Sequence, residues 1–269
     1  YRKAFYRRFF GKSLHYPHQR RACYRKRNAC AYKIMSFSSV LKQMLYPQNC
    51  KCVLCGKEIF GNRYGLCNGC SLTANVRFCR KCGRNIGETS EYCDDCKRDI
   101  RYFTCARAPF VFEGKAKKIV YKFKYGGGKF LSKYIAQFLA DEFYKQNWYV
   151  DVITFVPMHA KREKSRGYNQ AELIASHLSG IIGVPVAELL TRTKYSDNFA
   201  RMSRKERQEE ANKSFLCDIK LRGESVLLVD DVFTTGSTTS ACAKQLIDKG
   251  AKEVFVLTFC TAEIKNVLY

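Results

Sequence analysis

Val226-Leu-Leu-Val-Asp-Asp-Val-Phe-Thr-Thr-Gly-Ser-Thr238 sets a short apolar run before two adjacent carboxylates, then a loop of hydroxyl residues around one glycine. The apolar run reads as a buried strand, and a helix is expected from about 237 to 249. In an open α/β sheet, ligands bind beyond the carboxyl ends of the strands. Thr234, Thr235, Gly236, Ser237 and Thr238 would then offer backbone N–H groups and hydroxyls at a helix N-terminus, a cradle for phosphate that the helix dipole favours. Gly236 lets backbone come close. Asp230 and Asp231 would repel a phosphate, so they are expected to face the paired hydroxyls of a ribose, or a Mg2+-linked group. The combination reads as a ribose 5-phosphate site. It is not a Walker A loop, because Gly-Lys-Ser/Thr is missing.

Outward from this segment, Val152–Val156 and Val254–Phe259 are further short apolar runs, with helical stretches expected at about 131–145 and 168–180. Buried strands alternating with helices predict a parallel, doubly wound α/β sheet. Residues 106–269 are long enough to bury a full core unaided, so this domain is expected to survive without the cysteine-rich region in front of it.

That region, residues 50–105, carries four C-x-x-C pairs: Cys52/Cys55, Cys67/Cys70, Cys79/Cys82 and Cys93/Cys96. Gly56 and Gly83 follow two of them, where a tight turn with φ > 0 aims backbone N–H groups at the thiolates. Zinc takes four thiolates tetrahedrally, so eight cysteines suit about two closed structural Zn2+ sites. The simplest pairing is sequential, and an interleaved one fits the spacing too. An iron–sulfur cluster is the alternative metal reading; a redox pair would need one C-x-x-C on a βαβ frame. Cys50 reads as a spare thiol, or as a ligand in place of Cys52.

The chain has 269 residues and a formal charge of +24, of which residues 1–34 carry +11 with no acid. This stretch interleaves basic and aromatic residues, as a nucleic-acid arm does. It also contains no Met before Met35, where the composition turns ordinary, so a start site assigned too far upstream is the favoured expectation. Residues 35–49 form an apolar lead. No apolar run of about 18 residues occurs, so no membrane insertion is expected. No apolar stretch of a secretory signal is visible, and a cytoplasmic, thiol-reducing location is expected.

Several segments resemble the ComF family of competence-associated, phosphoribosyltransferase-like proteins. The Val226–Thr238 segment resembles the type I phosphoribosyltransferase motif for 5-phosphoribosyl-1-diphosphate (PRPP). Val156-Pro-Met-His-Ala-Lys-Arg-Glu-Lys-Ser-Arg-Gly-Tyr-Asn-Gln170 resembles the family's VP-x-x…RG[FY]NQ segment. Phe123-Lys-Tyr-Gly126 resembles its K-Y-x-G region, and Arg204–Asn212 with Phe215 its R-x4-N-x2-F stretch. The apolar lead Val40–Pro47 is similar to the family's own start. Asn198 departs from the Gln often found there.

The resemblance implies a type I phosphoribosyltransferase-like fold preceded by a double zinc ribbon. Asp230 and Asp231 would bind ribose hydroxyls as the catalytic pair, and Thr234, Thr235, Gly236, Ser237 and Thr238 the 5-phosphate. Pro157, Met158 and His159 would form the diphosphate loop, with Lys161, Arg162 and Arg166 as cationic contacts. Mg2+ would accompany PRPP. Residues 109–130 are the candidate hood; the basic stretch Lys115–Lys129 and Gly126–Gly128 read alternatively as a flexible rim that touches nucleic acid. His177 reads as ordinary helix. Two functions compete: a phosphoribosyltransferase of unknown acceptor, in DNA uptake or nucleotide metabolism, and a non-catalytic PRPP-binding factor that engages single-stranded DNA with other competence proteins. Oligomeric state is not encoded in these motifs.

Overall fold

The computed structural model describes residues 50–86, 90–193 and 214–262. The basic tail, the apolar lead, Asn198 and the Arg204–Asn212 segment lie outside the described residues.

The cysteine-rich region has little regular structure. Single bridges Lys51↔Glu58 and Phe78↔Asn85 close the two C-x-x-C-G turns, and Gly56 and Gly83 take φ of 75° and 68° there. A Cβ on Gly83 would also run into the Ala106 carbonyl. A short helix, α1 (Asp94–Arg98), ends the region. Then follow β1 (Cys105–Arg107), β2 (Phe110–Val111), α2 (Gly114–Tyr125), α3 (Leu131–Lys145), β3 (Val152–Phe155), α4 (Ala160–Arg166), α5 (Gln170–Ile182), β4 (Thr191–Arg192), β5 (Phe215–Leu216), β6 (Ser225–Phe233), α6 (Ser237–Asp248) and β7 (Glu253–Thr261).

The main sheet runs β1–β7–β6–β3, all parallel, and β2 continues along β7 beyond β1. Val186 bridges Ile153 in parallel outside β3. The chain therefore crosses from β1 to β3 and outward again through α5, then returns inward through α6. Right-handed crossovers in opposite directions place α3 and α5 on one face and α6 on the other. Side-chain alternation agrees. Leu227 and Val229 of β6 and Phe255, Leu257 and Phe259 of β7 join the main apolar cluster with α3 and α5. Val226, Leu228, Val254 and Val256 are fully buried outside that cluster. The small strands β4 and β5 pair antiparallel apart from this sheet.

Two expectations change. The main core is shared: Cys52, Ile59, Leu66 and Cys70 belong to the same cluster as Ile119, Tyr134, Leu139 and Phe259. Tyr64 stacks on Phe138 at 4.5 Å, and Arg63 pairs with Asp141 at 3.1 Å. The first ribbon thus covers apolar surface of α2 and α3, and no core boundary falls at residue 105. The stretch read as a flexible basic rim is, up to Tyr125, the helix α2, which buries Ala116, Ile119, Val120 and Phe123.

Candidate functional site

Two cysteine groups are assembled, Cys52/Cys55/Cys67/Cys70 and Cys79/Cys82/Cys93/Cys96, each with its Sγ atoms within 4.8 Å of one another. The grouping is sequential and leaves Cys50 out of both. A tetrahedral Zn–S distance of about 2.3 Å requires sulfur–sulfur edges of about 3.8 Å. Cys55–Cys67 and Cys82–Cys93 stand at 3.5 and 3.6 Å, so the donor sets fit structural zinc. The two centres differ in surroundings. In the second, three ligands are buried, and the buried guanidinium of Arg84 donates to Cys93 Sγ at 3.4 Å while pairing with Asp95. In the first, Cys55 is exposed and Cys67 half-exposed.

The Asp-Asp segment lies at the carboxyl edge of the main sheet. β3 stops pairing at Phe155↔Val229, whereas β6 continues along β7 to Phe233↔Thr261. Asp230 and Asp231 therefore lie on a strand extension flanked on one side only, where the chain after β3 turns away. Being adjacent in a strand, their side chains leave by opposite faces. Asp231, buried, pairs with Lys124 of α2 at 2.8 Å. Asp230 lies within electrostatic reach of Arg192 and Cys242. Burial pushes Asp230 up to about 7; the Asp231 charge adds to this, and the Asp231 N–H, Lys124 and Arg192 oppose it.

Beyond Phe233 the chain turns through Thr234–Gly236 into α6. Gly236 takes φ 78° as the residue before the helix, which has no side-chain cap. Thr235 Oγ1 accepts from Ser237 N at 3.4 Å and lies 3.1 Å from Ser237 Oγ. A Cβ at Gly236 would overlap the buried Phe233 ring. The glycine is thus required by the protein's own packing, and not only by the approach of a phosphate.

The Val156–Gln170 segment forms a loop, α4 and the start of α5. Pro157 is buried and Met158 half-buried. His159 caps α4, its Nδ1 accepting from Lys161 N at 3.2 Å. Arg166 stacks over the exposed Tyr125 ring at 5.2 Å and donates to Gln170 Oε1 at 2.7 Å. Tyr168 donates to the Phe123 carbonyl. Asn169 caps α5 by accepting from Ala171 N at 3.0 Å and donates to Val156 O at 3.1 Å. Arg-Gly-Tyr-Asn-Gln is therefore a brace between the post-β3 loop, α2 and α5. Arg162 reaches the neighbourhood of Arg192, whose guanidinium is held below its ordinary value by burial and by the Arg162 charge. His177 is exposed on α5.

The structure thus brings Asp230, Asp231, the Thr234–Thr238 loop and Arg162 to one sheet edge, and turns Arg166 toward Tyr125. It adds two cations that sequence reading missed as site residues, Lys124 and Arg192. Lys124 sits inside Phe123-Lys-Tyr-Gly126, within the stretch read as a hood or basic rim and not as a partner of the carboxylates. Arg192 carries no local signal. For Mg2+, the described residues offer no third acidic or His ligand beside the two carboxylates. A Mg2+ here would take only one or two protein oxygens, with the rest from ligand phosphates and water.

Comparison with known proteins bears on the two parts of the chain, the cysteine-rich region and the α/β domain. The family model of the phosphoribosyl transferase domain matches residues 164–267, and that of the double zinc ribbon domain matches residues 41–97. Competence protein F of Haemophilus influenzae is 26% identical over 219 residues, covering 77% of this chain and 95% of that protein. Competence protein ComFC of Streptococcus pneumoniae is 27% identical over 221 residues, covering 76% and 96%. DNA utilization protein YhgH of Salmonella typhi is 24% identical over 217 residues, covering 78% and 96%.

Proposed function

Because the chain is a homologue of the ComF, ComFC and YhgH proteins, with a double zinc ribbon before a type I phosphoribosyltransferase fold, we propose that it binds PRPP and transfers its phosphoribosyl group to an acceptor. The observation that carries this reading is the β6 extension: two carboxylates and a hydroxyl loop stand together past the end of β3. Thr234, Thr235, Gly236, Ser237 and Thr238 hold the 5-phosphate with N–H groups and hydroxyls at the start of α6. Asp230 accepts from a ribose hydroxyl, and Asp231, on the opposite strand face, holds Lys124 in place. The Met158–His159 loop with Arg162 and Arg192 faces the diphosphate, Lys124 stays paired with Asp231, and Arg166, engaged with Tyr125 and Gln170, braces the loop. Mg2+ bound with PRPP supplies positive charge to the departing diphosphate. The C1–O bond to diphosphate breaks, the acceptor's lone pair bonds to C1, and the acceptor's proton is released. The protein's part is to hold these charges in place. Release of diphosphate from PRPP and Mg2+ over a panel of nucleobases tests the reading; occupancy by calorimetry without turnover for any acceptor would leave only the binding function.

The binding-only reading has its own support in a cationic–aromatic surface. Phe112 and Tyr121 stack at 6.5 Å, Tyr121 and Tyr125 lie 6.1 Å apart, and Lys117 and Arg166 stand over these rings. Rings beside cations suit single-stranded DNA, in keeping with the name of the DNA utilization protein YhgH. In that case single-stranded DNA binds, with a salt dependence set by its phosphate contacts, and no diphosphate is released.

A further inference from the structure

α2 touches both the first cysteine centre and the Asp-Asp loop. Lys115 Nζ donates to Gly69 O at 2.7 Å, inside the Cys67–Cys70 knuckle. Lys122 Nζ donates to Val53 O at 2.9 Å, inside the Cys52–Cys55 knuckle. Seven residues apart, these lysines share one face of the helix. Between them Ala116, Ile119 and Val120 join the apolar cluster of Cys52 and Cys70. At the helix's far end Lys124 pairs with Asp231 at 2.8 Å, and Phe123 O accepts from Tyr168. Metal held by the four thiolates would fix the two knuckles relative to one another, and with them the carbonyls that Lys115 and Lys122 grip. The second centre abuts the sheet elsewhere: Ala106 N donates to Lys81 O at 2.8 Å and Arg107 Nη1 to Arg80 O at 2.9 Å, both inside the Cys79–Cys82 knuckle, on β1, which β7 separates from β6.

We propose that α2 is a strut through which metal at the first cysteine centre holds Lys124 against Asp231, so that the first centre, through α2, and not the second, through β1, governs the order of the Asp-Asp loop, with Lys115 and Lys122 as positioning residues. The proposal rests on the PRPP reading only for its ligand-binding consequence; the ordering of the loop is independent of it.

Amide hydrogen exchange across 226–238, zinc content and PRPP calorimetry with Mg2+ on the full chain test it. A Lys115→Met, Lys122→Met double variant is expected to keep both zinc ions, to exchange about fivefold or more faster across 226–233, and to bind PRPP about fivefold to tenfold more weakly. Cys55→Ser, which removes an exposed ligand, is expected to lose one zinc and reproduce those changes. Cys96→Ser should lose the other zinc and leave exchange across 226–233 near the parent's. Parental exchange in the lysine variant, or equal effects of the two cysteine variants, overturns the strut. If Cys55→Ser fails to fold, the lysine variant decides. If the parent itself fails to bind PRPP, the functional reading falls, while exchange across 226–238 still judges the strut.

Discussion

Asp230 is a carboxylate that the fold keeps near half-ionised at neutral pH, because burial and the Asp231 charge raise it to about 7. A folded value above the ordinary 3.8 means that the folded state binds the extra proton. Its contribution to stability is therefore full below about pH 4 and is lost as pH rises through about 7. A ribose hydroxyl, by contrast, needs the ionised form as acceptor. PRPP affinity is thus expected to rise from pH 6 to pH 8 in the parent, beyond the titration of the ligand itself, and to rise less in Asp230→Asn. The variant should bind about tenfold or more weakly at pH 8, since a charge-assisted bond contributes about 1.5–3 kcal/mol. It should also melt higher than the parent at pH 8. Calorimetry and melting across that range check both; parallel pH profiles would remove Asp230 from the ligand's contacts. Gly236→Ala tests a second residue. Its left-handed backbone and the Phe233 ring predict a loss of about 1–3 kcal/mol in denaturant unfolding, with or without ligand. The carboxylates and loop were legible because their chemistry is contiguous in sequence. Lys124 and Arg192 were not, because only the folded chain brings them to Asp231 and Asp230.

Among the elements, α3 coincides with the helix expected at 131–145, and its apolar positions Leu131, Ile135, Leu139 and Phe143 recur at helical spacing. β6 is longer than its apolar run because pairing with β7 continues through Asp230 to Phe233; hydrophobicity marks burial, and hydrogen bonding sets the strand's end. α2 escaped notice because five of its twelve residues are Lys and its buried stripe is only four residues. Part of what covers that stripe is the cysteine-rich region, which hydropathy does not reveal as a packing partner. That region's second centre is set apart by Arg84, whose place beside Cys93 no spacing rule announces. Arg84→Met removes a charge-assisted bond to a thiolate and the partner of Asp95. Loss of such a supporting contact weakens metal sites by about 10–100-fold. Zinc release to a chromophoric chelator should then show one centre, the second, emptying earlier than in the parent. Unchanged release would mean that the four thiolates alone set retention.

At the scale of the whole molecule, the shared cluster decides whether the cysteine-rich region is an appendage or part of the core. Trp148 is the chain's single tryptophan. It stacks on Phe255 of β7 at 4.8 Å, within the same cluster as Cys52 and Cys70. An appendage with a separate core would lose zinc without any change in the melting of the sheet. A shared core predicts the opposite, because disordering the first ribbon removes Ile59 and Leu66 from the cluster and bares Ile119 and Tyr134. Each large apolar side chain returned to water costs about 1.5–3 kcal/mol. Two or three of them come to several kcal/mol, and at about 2–4 °C per kcal/mol for a domain of this size the midpoint should fall by about 10 °C. Melting followed by Trp148 fluorescence, before and after a strong chelator, reads this directly, and restoring zinc should restore the midpoint. For the same reason a chain cut to residues 106–269 should be far less stable than the parent, despite having length enough for a core. A midpoint indifferent to zinc, together with a stable 106–269 chain, would show that the ribbons only lie on a core that is already complete.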